Sequence, residues 1–153
     1  MKLSGQQFFE VVKNTPLVAI DLLVKNTEGR ILLGFRTNDP ARDFWFVPGG
    51  RIRKEESLDV AFQRIVHEEL GIGYNREQAR FFGVSENIYD TNFLNIPGVG
   101  THYINLVYEM TLPEMPGSLP ASQHQQYRWF TRAEALQEPQ VHPYVIPYFA
   151  DMT

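Results

Sequence analysis

The sequence predicts an α/β (α+β) fold, helices packed on a mixed β-sheet, and three observations carry that prediction. Two runs rich in branched residues, LVAIDLLV (17–24) and ILLGF (31–35), flank a short polar turn, KNTEGR. One segment, 57–70, repeats its apolar residues with the period of a helix. Further strand-like runs lie before and after that helix, so the sheet draws on both halves of the chain.

Taken in order, the first two runs read as adjacent strands, because branched side chains suit a pleated backbone and the Asn and Gly between them suit a turn. FWFVPGG (44–50) reads as a short strand entering a Pro-Gly-Gly loop. Ser57 stands where it can cap a helix, and Gly71, just past Leu70, marks its end. Strands are expected around 80–86, 103–110 and 126–131, with short helices near 131–137 and 143–150. The stretches 87–100 and 111–125 are polar and carry Pro and Gly, so they read as loops, long enough to suggest a function.

A chain of 153 residues, 43% of them hydrophobic, supports one core and leaves little room for a second, so a single domain over 1–153 is expected. The net charge of −4 provides no broad basic surface, which argues against nucleic-acid polymers and anionic membranes as partners. Without cysteine there is no disulfide framework and no thiolate chemistry, in keeping with a reducing compartment. The opening MKLSGQQFFEVVKN lacks the apolar core of a signal peptide, and no apolar run is long enough to span a bilayer; a cytoplasmic location is expected.

The helix over 57–70 carries the strongest functional signal. On a wheel of roughly 100° per residue, Leu58, Phe62, Ile65, Val66 and Glu69 share one side. A carboxylate in an apolar stripe is costly unless it meets a cation. Mg²⁺ would supply one, since it takes oxygen ligands and is held by one or two carboxylates with water and phosphate completing its shell. Arg64 and Glu68, one turn apart at the stripe's edge, either reach a common ligand or pair with each other. Gly49 and Gly50 let the backbone come close enough to offer a carbonyl to the same ion. Asp21, inside LVAIDLLV, is either a core aspartate needing a cation or an edge-strand residue facing water.

Gly50, Glu56, Arg64, Ile65, Val66, Glu68, Glu69, Gly71 and Ile72 resemble the Nudix hydrolase pattern G-x5-E-x7-R-E-U-x-E-E-x-G-U, where U is aliphatic. Every fixed position matches but one: Ile65 stands where the pattern has glutamate. That exchange, with NTPLVAID (14–21), GFRTNDPARDFWFVPGGR (34–51), YDTNF (89–93), THY (101–103) and QHQQYRWF (123–130), is similar to the GDP-mannose mannosyl hydrolase branch; the likeness weakens after about Ala135. It implies a Nudix-type α/β/α sandwich with a mixed sheet and dependence on Mg²⁺, with Mn²⁺ as an alternative. It also implies hydrolysis of GDP-mannose, or GDP-glucose, by water attack at C1 with inversion and loss of intact GDP.

The resemblance also assigns roles. Gly49, Glu68, Glu69 and Gln123 are implied as metal contacts, and Arg36, Arg51 and Arg64 as partners of the diphosphate, although for any single arginine a surface ion pair is the plainer explanation. Asp21 is implied beside the sugar and its cation-like transition state. The residues alone leave the choice among the four histidines open; the resemblance selects His124 as general base over His67, His102 and His142. Phe8, on an N-terminal helix, and Tyr103 are implied to stack on guanine, and a pocket shared across a subunit boundary makes a homodimer the expected assembly. Asn87 stands near the substrate where close members carry histidine, and the 88–100 loop is longer by one residue. A pyrophosphohydrolase attacking phosphorus, and a nucleotide-binding module without chemistry, are the rival readings.

Overall fold

The strand Leu17–Lys25 (β1) runs through the middle of the sheet and is buried from Ala19 to Val24, which is why its sequence is a nearly continuous apolar run, broken by Asp21, instead of an alternation. The computed structural model of the protein describes residues 2–113 and 124–150; the side chains of residues 124 and 125 fall outside that description. Around β1 the chain forms α1 (Gly5–Asn14), β2 (Ile31–Arg36), β3 (Trp45–Phe46), β4 (Gly49–Arg51) and α2 (Leu58–Leu70). There follow β5 (Arg80–Tyr89), β6 (Thr101–Thr111), β7 (His124–Phe130) and α3 (Arg132–Gln137), with 3₁₀ turns at Arg76–Gln78 and Ile146–Phe149.

The sheet is mixed, in the order β3-β2-β1-β6-β5, with β6 parallel to β1 and β5 antiparallel to β6. One edge of β1 is divided: Lys25 pairs with Ile31 of β2, while Ala19, Ile20 and Asp21 pair with Arg51, Gly50 and Gly49 of β4. FWFVPGG is therefore two short strands. Phe46 pairs with Gly34 of β2, and after Pro48 the backbone crosses to β1. Alternation along β1 sends Ile20, Leu22 and Val24 to the side packed by α2, and Leu23 to a second core with Trp45, Phe130 and Phe149.

Local chemistry explains α2. The Ser57 hydroxyl accepts from the Val60 N–H, and Gly71 ends the helix at φ 71°, a left-handed conformation that glycine adopts without strain. Other boundaries moved from expectation. β5 continues to Tyr89 and β7 starts at His124, so both loops are shorter than the polar composition implied. The helix expected near 143–150 is only a 3₁₀ turn at Ile146–Phe149, because Pro143 and Pro147 bring no N–H to an α-helical ladder. α1, anticipated only through the resemblance, begins at a reciprocal cap between Ser4 and Gln7.

Ile65 is 1% exposed and belongs to the core beneath α2, and a Cβ on Gly50 would lie 3.2 Å from its Cγ1. The place of the absent glutamate is thus filled by hydrocarbon packed under the Pro-Gly-Gly turn. Restoring a carboxylate there buries a charge among apolar neighbours. Ile65→Glu is expected to cost on the order of 3 kcal/mol in urea unfolding, against about 1 kcal/mol for Ile65→Val. An Ile65→Glu protein as stable as the parent would show that this side chain has a route to water.

Candidate functional site

α2 is fastened to β4 through the backbone. Leu22 N–H donates to Pro48 O and Ile52 N–H to Val18 O, each at 2.8 Å, so Pro48 and Ile52 face β1. In an extended strand alternate residues turn their peptide groups the other way, here Gly49 and Arg51, while Gly50 again faces β1. Gly49 N–H accordingly donates to Glu69 Oε1 (3.1 Å), and the Arg51 carbonyl accepts from Arg64 Nη2 (2.8 Å). Five helical residues rise about 7.5 Å and two strand residues about 6.6 Å, so the two contacts keep step. Gly49 is required here: a Cβ would lie 2.5 Å from Ile20 O and 2.9 Å from Asp21 Oδ1.

Arg64 also grips Glu56 through both carboxylate oxygens (Nε to Oε2 2.6 Å, Nη2 to Oε1 2.8 Å) and donates to Glu68 Oε2 through Nη1 (3.1 Å). The Arg64 bond pulls the Glu56 carboxyl down to about 2. Of the two readings open for Arg64 and Glu68, mutual pairing is the one present. Most of Arg64's N–H groups are met inside this joint, which leaves little of the guanidinium for phosphate. Glu68 is half-exposed and also lies 3.8 Å from Arg53. Glu69, in contrast, is 3% exposed.

A cavity of about 850 Å³ opens beside this joint, and its walls join Gly49, Arg51 and Glu69 to Asp21, Arg36 and Phe8. Among the described residues no three acidic or histidine side chains converge as a metal cage. What this corner holds is oxygen: the Glu69 and Glu68 carboxylates and the Gly49 carbonyl, turned by the strand register to the same side as its N–H. That donor set fits Mg²⁺ or Mn²⁺ with the remaining positions left to water and substrate. Gln123 lies outside the described residues.

Across the cavity floor, Asp21 is 7% exposed on a strand paired on both sides, which removes the water-facing reading. Burial pushes its carboxyl up to about 7, against the opposing pull of the Tyr148 hydroxyl (3.1 Å from Oδ2) and of Arg36. Arg36 lines the cavity at the end of β2 with its Nε on the Pro40 carbonyl (2.8 Å). Asn87 and Tyr103 are cross-strand partners on β5 and β6, and both line the same face; Asn87, 5% exposed, donates to the Tyr89 hydroxyl (3.3 Å). Burial raises the Tyr103 phenol above its ordinary value.

At the rim, the Phe8 ring lies 5.0 Å from Phe93, with the Arg51 guanidinium 4.7 Å from its centroid. This ring reaches the cavity from the chain's own α1, so no second copy is needed to deliver it. Among the histidines, His67 is exposed, and His102 bonds Glu86 (3.0 Å) on the sheet face opposite Tyr103. His142 is packed against Phe44, Phe46 and Tyr89, and its Nδ1 accepts the Tyr144 N–H (3.0 Å). His124 is the first residue of β7 and not part of a loop; its backbone is paired opposite Arg36. Sequence reasoning missed Asn105, Tyr89 and Phe93, which line the cavity too. Asn105 interrupts INLVYEM as Asp21 interrupts its own run, so a polar residue inside a strand was the available signal.

Comparison with known proteins places the chain in a family. The family model described as NUDIX domain matches residues 15–150. The chain therefore belongs to the Nudix hydrolase family. Members of that family act on nucleotide derivatives and generally use a divalent metal such as Mg²⁺. The chain is 37% identical to the low-salt glycan biosynthesis protein Agl8 of Haloferax volcanii, over 96% of this chain and 88% of that one. A MutT NUDIX hydrolase of Burkholderia pseudomallei is 28% identical with a TM-score of 0.66, over 87% of this chain and 95% of that one. The NUDIX domain of Shewanella oneidensis NrtR, in complex with ADP ribose, shares the fold at a TM-score of 0.64 and 17% identity, over 95% of this chain and 96% of that one. No helix among the described residues is long and apolar enough to cross a membrane.

Two measurements test the site. Asp21, with a folded value raised above its ordinary 3.8, stabilises metal-free protein below about pH 4, and that contribution is lost as pH rises to about 7. The loss is on the order of 4 kcal/mol. Glu56 has the opposite sign: its contribution is present above 4.5 and lost as pH falls toward about 2. Urea midpoints of Asp21→Asn should therefore flatten between pH 4 and 7 while the acid limb remains; an unchanged slope would contradict the burial of a titrating carboxyl. In calorimetric titration with Mg²⁺, Glu69→Gln should weaken binding about tenfold more than Glu68→Gln. Equal, mild effects would put the ion elsewhere.

Proposed function

We propose that this protein hydrolyses a GDP-sugar, GDP-mannose or GDP-glucose, to GDP and free sugar by attack of water on the sugar C1. The observation that carries the reading is the exchange of roles between Ile65 and Asp21. The helix position where the family pattern has glutamate is filled by buried isoleucine, so α2 offers no carboxylate there to activate water at phosphorus. A buried carboxylate stands instead on β1, in the same cavity as Glu69 and Gly49.

In this reading the sugar lies over Asp21 and Asn87, the diphosphate passes Arg36 and Arg51, and the base reaches the aromatic rim at Phe8 and Tyr103. Asp21 favours positive charge developing at C1, and Arg36 and Arg51 take charge appearing on the departing diphosphate. A Mg²⁺ ion held by Glu69, Glu68 and Gly49 supplies further neutralisation of that leaving group. His124, whose backbone is paired with Arg36, is assigned as the general base that takes the proton of the attacking water, and Gln123 as a further metal contact. The glycan-biosynthesis role of the Haloferax relative supports a sugar nucleotide as substrate. A homodimer and a cytoplasmic location belong to the same proposal.

Turnover of GDP-mannose with Mg²⁺ in ¹⁸O-water tests the reaction. Label in free mannose, with unlabelled GDP, is expected; label in a phosphate product would establish attack at phosphorus and overturn the proposal. His124→Gln should lower kcat about 10² to 10⁴-fold with little change in KM. A variant within threefold of the parent would remove His124 from the role.

A further inference from the structure

The last described segment crosses the sheet as a strap. At one side Val141 bridges Trp45 of β3, with Trp45 N–H on Gln140 O (2.7 Å) and His142 N–H on Trp45 O (3.2 Å). At the other side the Tyr144 hydroxyl accepts the Ile88 N–H (3.2 Å) and donates to the Ile88 carbonyl (2.9 Å), on β5 at the opposite end of the sheet order. Both ties are made without Tyr148. The 3₁₀ turn that follows both ties, Ile146–Phe149, carries Tyr148 and Phe149 inward, 5% and 1% exposed. Tyr148 packs edge-on against Phe82 and brings its hydroxyl to Asp21 Oδ2 at 3.1 Å.

Behind that hydroxyl stands a chain of donors. Asn105 Nδ2 donates to Ser85 Oγ (3.2 Å), and Ser85 Oγ lies 2.9 Å from Tyr148 Oη. With Asp21 ionised, the one proton of Tyr148 goes to the carboxylate, and Ser85 then gives its own to Tyr148. In that ionised state every bond in the row points toward Asp21, and bonds aligned this way reinforce one another. With Oδ2 tethered to the strap, Oδ1 is on the Gly49 side, where it lies 2.9 Å from the position a Cβ would take. The Tyr148 bond restrains rotation of the carboxylate about its Cβ–Cγ bond.

We infer that Tyr148 is a positioning residue for the reaction, orienting the Asp21 carboxylate toward the sugar carbon at the end of a one-way chain from Asn105 through Ser85. The inference rests on the GDP-sugar reading above and adds Tyr148, Ser85 and Asn105 to it.

Tyr148→Phe keeps the ring and removes the bond, and Tyr144→Phe cuts a strap tie that does not touch Asp21. Steady-state kinetics on GDP-mannose with Mg²⁺ should show kcat of Tyr148→Phe reduced about tenfold with KM held within about twofold. Tyr144→Phe should lower the melting temperature while leaving kcat alone. Urea midpoints of Tyr148→Phe, Asp21→Asn and the double variant should be non-additive, a readout that needs no substrate. An unchanged kcat in Tyr148→Phe, an equal loss in Tyr144→Phe, or additive midpoints would overturn the inference. Parent protein that releases no free sugar, with midpoints still coupled, would instead sink the GDP-sugar reading and leave the Tyr148–Asp21 contact standing.

Discussion

The structure depends on the meeting of one buried carboxylate with one glycine amide. Glu69 lies on the inward side of α2, and it is tolerated there because Gly49 of β4 offers it an N–H and the cavity opens beside it. Five residues earlier on the helix, Arg64 holds the next outward-facing residue of the same short strand. The joint makes helix and strand one rigid corner, so the acidic face of α2 and the turn before it keep a fixed spacing. Ile65 lies between the two contacts and packs under Gly50, which makes the corner solid where the wider family pattern has a third acid.

That corner is one end of a cavity whose other end belongs to the sheet. On the odd-numbered face of β1 the apolar run from Leu23 is interrupted by Asp21, and on β6 the same face passes from Val107 to Asn105 and Tyr103. A core strand thereby becomes a binding floor without leaving the sheet. Burial then does chemical work at Asp21: the carboxyl held near 7 responds strongly to any positive charge brought beside it, whether from Arg36 or from a substrate. Arg36 and Arg51 line this cavity, and Arg64, which lines it too, is tied to Glu56, Glu68 and the Arg51 carbonyl.

Much of this was readable from the residues, for identifiable reasons. The α2 boundaries follow from Ser57 and Gly71, whose capping chemistry is local, and Glu69 was marked out because a helical period puts it among apolar neighbours. Asp21 stood out by the same contrast inside a strand. What escaped was whatever depends on pairing. The division of β1's edge between β2 and β4, and the alignment of Ser85 with Asn105, require a register that one chain does not declare. His124 was expected in a loop because its neighbours are polar, yet the backbone joins β7 opposite Arg36. Tyr148 looked like part of an ordinary terminal helix; its place at Asp21 comes from a strap shaped by two prolines and tied at distant strands.

In the proposed reaction the Glu69–Gly49 corner holds a divalent metal facing the diphosphate. Anomalous diffraction from crystals soaked with Mn²⁺ and GDP tests it most directly. A manganese peak is expected within about 2.2 Å of a Glu69 carboxylate oxygen and of the Gly49 carbonyl oxygen, with the diphosphate between that ion and Arg51. Manganese bound elsewhere, with Glu69 still engaged only by protein N–H, would contradict it.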